Sequence, residues 1–83
     1  MKHWVITLDW ARDFEEGFQV LAVEHSAEDA KQKFDQEVEN EREIAERNGW
    51  KVYEDNDAVF DAGEDGSHIQ DHTTVRIFEL DSE

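Results

Sequence analysis

Hydrophobic residues first recur at every second position, then at every third or fourth, then at every second again. From His3 to Trp10 the chain alternates, with Trp4, Ile6, Leu8 and Trp10 on one side and Val5, Thr7 and Asp9 on the other, as a half-buried strand does. Phe18 to Glu24 repeats the pattern, placing Phe18, Val20 and Ala22 on one side and Leu21 and Val23 on the other. Ala11 to Gly17 reads as a charged turn; seven residues are too few for a parallel crossover, so the two strands form an antiparallel hairpin. Phe14 in that turn is expected to tuck back over the core, with exposure as a contact residue as the alternative.

The period then changes. Ala27, Ala30, Phe34, Val38 and Ala45 form one apolar stripe, flanked by Ile44, over a helix expected between Ser26 and Gly49. Ser26 is a good N-cap, Glu28 and Asp29 sit at the positive end of the dipole, and Arg47 sits at the negative end before a closing glycine. Glu41 breaks the stripe, and Glu37 lies at its edge. A buried carboxylate needs a partner, for which Lys51 and Arg76 are the candidates; a buried acid is also one way functional groups are made.

After the helix, Trp50 to Glu54 reads as a third strand, 54–57 as a turn of acids and Asn56, and Ala58 to Ala62 as a short apolar continuation beyond a bend. Residues 62–71 read as loop and Thr73 to Leu80 as the last strand, apolar on both faces. The expected fold is a single α+β domain over 1–83, ββαββ, with an antiparallel sheet of about four strands and one long helix packed on one face. Apolar residues on the second face call for another layer, and a homodimer supplies one.

Composition adds two constraints. Three Trp, five Phe and one Tyr give so short a chain enough area to bury for a folded domain. There is no Cys, so disulfides and thiolate metal sites are excluded, and no apolar run reaches the length of a membrane span; a cytoplasmic location is the expectation. The net charge is −15, from 23 acids and 8 Lys or Arg, and most of the excess follows the helix. Such a surface repels nucleic acid and anionic membranes and attracts basic partners.

Few residues carry recognisable chemistry. His68, Asp71 and His72, with Asp61 and Asp65, are weak candidates for a divalent cation. The 61–72 stretch has acids at the first and fifth positions of a calcium loop and glycine at the sixth, but Gly63 and His72 stand where ligands belong. No nucleophile elbow or phosphate loop is present, and no cofactor is expected; the chain reads as a non-enzyme.

Acidity is the strongest functional signal. Asp35, Glu39, Glu43 and Glu46 are expected to form one row on the helix, and Glu37 and Glu41 another. Lys33 is placed to compensate Asp29, Arg42 to compensate Glu39 and Arg47 to compensate Glu43. The reading is a small acidic interaction module for a basic protein partner, with Leu21, Val23 and Phe14 as a possible apolar interface. Carboxylate rows can also imitate duplex phosphates, so a nucleic-acid mimic is the alternative. In size and charge alone, the chain resembles small phage inhibitors of restriction or CRISPR enzymes. A weak metal-binding domain is the second alternative.

Overall fold

A computed structural model describes residues 1–12, 14–64 and 71–81. The elements are β1 (Lys2–Arg12), β2 (Glu15–Glu24), α1 (Ala27–Asn48), β3 (Lys51–Asp55), β4 (Val59–Gly63) and β5 (His72–Asp81). All neighbouring strands are antiparallel, in the order β2-β1-β5-β4-β3. The α+β class and the single helix on one face are as expected, but the sheet has five strands. The 54–57 turn is a true reversal: the Asn56 side-chain oxygen accepts from the backbone N–H groups of Ala58 and Val59, at 2.9 and 3.0 Å. Ala58 to Ala62 therefore folds back against β3 as a strand of its own, instead of continuing it.

The helix joins the two edge strands, so it crosses the sheet. Its start and stop obey local chemistry. Ser26 Oγ accepts from the Asp29 N–H. At the other end Gly49 adopts φ 70°, its N–H reaches the Glu46 carbonyl, and the Trp50 N–H reaches that of Ala45. No atom lies within 4 Å of a Cβ placed on Gly49, so the cost of Gly49→Ala is backbone strain alone. It is expected to destabilise by about 1–2 kcal/mol, measurable by urea denaturation.

Ala30, Phe34, Val38, Glu41 and Ala45 form the buried helix face, while Ala27 stays exposed. Phe34, Val38 and Ala45 pack on Ile6, Phe60, Ala62 and Val75, with Leu8, Leu21, Ala22, Trp50 and Ile77 around them. The strand pairings show why these residues meet: Ile6 lies beside Ile77, Leu8 beside Val75, and Val75 beside Phe60.

The hairpin departs from simple alternation twice. Pairing extends to Arg12 and Glu15, so the strands run well into the seven residues expected as a loop. Phe14 has φ 69° and is 85% exposed, so it does not tuck onto the core. A register shift follows Ile6, where Ala22 and then Val20 are the partners. That bulge puts Leu21 and Ala22 against the core, and pairs Val20 and Phe18 with the opposite face of β1.

Candidate functional site

The face of the sheet away from the helix has no covering layer among the described residues. Cross-strand pairing arranges it in rows. Val23, Val5 and Phe78 form one; Val20, Thr7, Arg76 and Val59 the next; and Phe18, Asp9, Thr74, Asp61 and Glu54 the third. His3 and Leu80 lie beyond the first row. Val20, Val23, Phe78 and Leu80 are each between 44% and 54% exposed, so one end of this face is an open apolar surface. Val23 belongs to it. Leu21 does not, because the bulge turns it to the helix side.

The other end is a polar hollow of about 830 Å³. Trp10, Phe18 and Tyr53 stand around Asp9, Glu16, Asp61, His72, Thr74 and Arg76. Trp10 covers Gly17 so closely that a Cβ there would fall 2.5 Å from the indole ring. Within the hollow, Arg76 donates to Asp9 at 2.7 Å and the Thr74 hydroxyl donates to Asp61 at 2.8 Å. The tyrosine hydroxyl of Tyr53 donates to the Glu64 carbonyl at 3.0 Å. Three carboxylates against one guanidinium make the hollow a place for a cationic group.

The acidic helix rows divide differently. Asp35, Glu39, Glu43 and Glu46 are exposed, but Glu37 is half-buried and Glu41 is buried, so the second row is not a surface. Lys31 pairs with Asp35 at 3.3 Å, Lys33 with Glu37 at 3.0 Å, and Arg42 with Glu39 at 3.3 Å. Only the Arg42 pairing is among the three compensations expected from spacing. Arg42 also forms a two-pronged contact with Asp55 at 2.7 and 3.1 Å. These hydrogen bonds hold the Asp55 carboxyl below its ordinary range.

Glu41 finds neither of its expected cations. The Thr73 hydroxyl donates to its Oε1 at 2.6 Å, and an Arg12 nitrogen lies 3.8 Å from the same oxygen. Arg76 points to the opposite face, and Lys51 lies over the Tyr53 ring. Arg12 also stacks 5.6 Å from the Trp50 ring centroid, with its buried Nε lacking a hydrogen-bond partner among the described residues.

Of the weak cation candidates, Asp65 and His68 lie outside the described residues. Asp61 and His72 line the hollow, and Asp71 accepts from the Glu64 N–H through its backbone carbonyl. Among the described residues no three His, Asp or Glu side chains come together as a metal cage, and no helix is long and apolar enough to cross a membrane. Compared with protein-family models, curated proteins and solved structures, the chain gives no significant match.

Proposed function

We propose that the chain is a non-enzymatic interaction module whose open sheet face takes an apolar segment of a basic protein. One observation carries this reading: Val20, Val23, Phe78 and Leu80 share one uncovered face and are all more than two-fifths exposed. The neighbouring hollow, with Asp9, Glu16 and Asp61, suits a Lys or Arg beside that segment. Charge ranks the possible occupants. A basic protein is attracted from a distance, whereas a second copy also carries −15 and is repelled until salt screens it. A homodimer through this face therefore forms only where screening is strong.

The mimic reading rests on the exposed row Asp35, Glu39, Glu43 and Glu46, two of whose members already have a basic neighbour. One comparison separates the readings. The chain is immobilised beside Val23→Asp/Phe78→Asp and Glu39→Gln/Glu43→Gln/Glu46→Gln variants, each checked for folding by circular dichroism. Basic proteins captured from a lysate are then measured individually for affinity. The face variant is expected to weaken binding by about tenfold or more, the size of a lost interface anchor. Binding should also fall as the Debye length shrinks from about 30 Å to about 3 Å. Unchanged affinity in the face variant overturns the proposal, and loss confined to the helix variant, with competition by duplex DNA, installs mimicry.

A further inference from the structure

The hairpin brings together two histidines that are far apart in sequence. Trp4 pairs with Glu24, which sets His25, just past the end of β2, opposite His3. Their Nδ1 atoms share a hydrogen bond of 2.9 Å, one ring donating and the other accepting, so a metal would take the place of the shared proton; the ring centroids are 4.9 Å apart, and the planes meet at 75°. His25 is exposed and His3 half-buried, so the pair is open to solvent at the end of the sheet remote from the polar hollow.

We infer that His3 and His25 form a two-imidazole site for a divalent transition metal, with Cu(II) as its preferred ion. With metal–nitrogen bonds of about 2.0–2.1 Å, nitrogens 2.9 Å apart subtend about 90° at the metal. That is the angle between adjacent ligands of a tetragonal ion, the geometry of Cu(II) and Ni(II). Among divalent first-row ions, copper also binds nitrogen donors most tightly. The pair supplies two of the donors that a tetragonal ion takes. The surrounding charge of −15 raises the local cation concentration without fixing geometry. The site is separate from the weak candidates Asp61 and His72, which lie at the opposite end of the sheet.

The test is titration of the protein with Cu(II) in a buffer that does not coordinate copper. It is followed by calorimetry and electron paramagnetic resonance, with His3→Asn, His25→Asn, Ni(II) and Zn(II) in parallel. One equivalent of Cu(II) is expected to bind, with nitrogen hyperfine structure from two imidazoles. Each variant should weaken binding by about tenfold or more, since one of two donors is lost, and Ni(II) and Zn(II) should bind less tightly than Cu(II). Circular dichroism of the variants establishes that they fold. Equal binding by wild type and His25→Asn assigns copper to the general acidic surface and overturns the site. So does failure of the wild type to show coupling to two imidazole nitrogens.

Discussion

Replacing Phe60 by alanine is expected to destabilise the protein by about 3–5 kcal/mol, the range for deleting a buried aromatic side chain. Phe60 is fully buried and is the largest of the fully buried side chains. It lies on β4 between β3 and β5, paired with Asp55 on one side and Val75 on the other. The helix closes it from above, where the Arg42 guanidinium sits 5.0 Å from the ring centroid while held by Asp55. These neighbours are tied to strands and to a capped helix, so they cannot collapse into the space left behind. In a domain whose total stability is of order 5–15 kcal/mol, such a loss leaves a large unfolded fraction or removes the folded state. Urea denaturation should show a much lower midpoint with an unchanged slope. Phe18→Ala is the control: at 64% exposure it should shift stability by no more than about 0.5 kcal/mol. A loss below about 1 kcal/mol at Phe60 would show that the helix is not seated on the sheet as described.

The parts of this fold legible in the sequence are those fixed by local chemistry. Ser26 and Gly49 delimit the helix because each satisfies backbone groups within its own turn. The Phe34 and Val38 stripe and the Ile6 and Leu8 alternation likewise locate the core. What was not legible depends on pairing between distant residues. The β2 bulge leaves no mark in composition, yet it moves Leu21 from the expected interface to the core and aligns Val20 with Val23 on the open face. Acids hid the tight hairpin, because Arg12 and Glu15 look like loop but extend the strands. That extension brings Arg12 to Glu41, while the shifted register beyond the bulge brings His25 to His3. Helical spacing already put Glu41 on the apolar stripe and Glu37 at its edge, and the structure buries the first and half-buries the second, so these two do not form an exposed row.

Thr73→Val is expected to cost about 1–3 kcal/mol, and Glu41→Leu a similar amount, because each strands a buried polar group whose partner has been removed. Thr73 is fully buried and Glu41 is 8% exposed, so water does not readily replace either partner. With the hydroxyl gone, the Glu41 carboxylate keeps only Arg12 at 3.8 Å, and that side chain is 40% exposed. With the carboxylate gone, the Thr73 hydroxyl faces leucine. The double variant is expected to recover much of the loss, since two apolar side chains of similar size fit where a hydrogen-bonded pair stood, and only Arg12, which is 40% exposed, loses its 3.8 Å contact. A coupling of about 0.5–3 kcal/mol in a double-mutant cycle, read by urea denaturation, is the expected signature. Strictly additive costs would show that the 2.6 Å contact does not hold in solution. The same double variant also bears on function. Glu41 lies under the helix and away from the open sheet face, so removing its charge together with Thr73 should leave binding of a basic partner to that face unchanged. Retained binding in a stable double variant would confine Glu41 to holding β5 against the helix and leave recognition to the Val20, Val23 and Phe78 face.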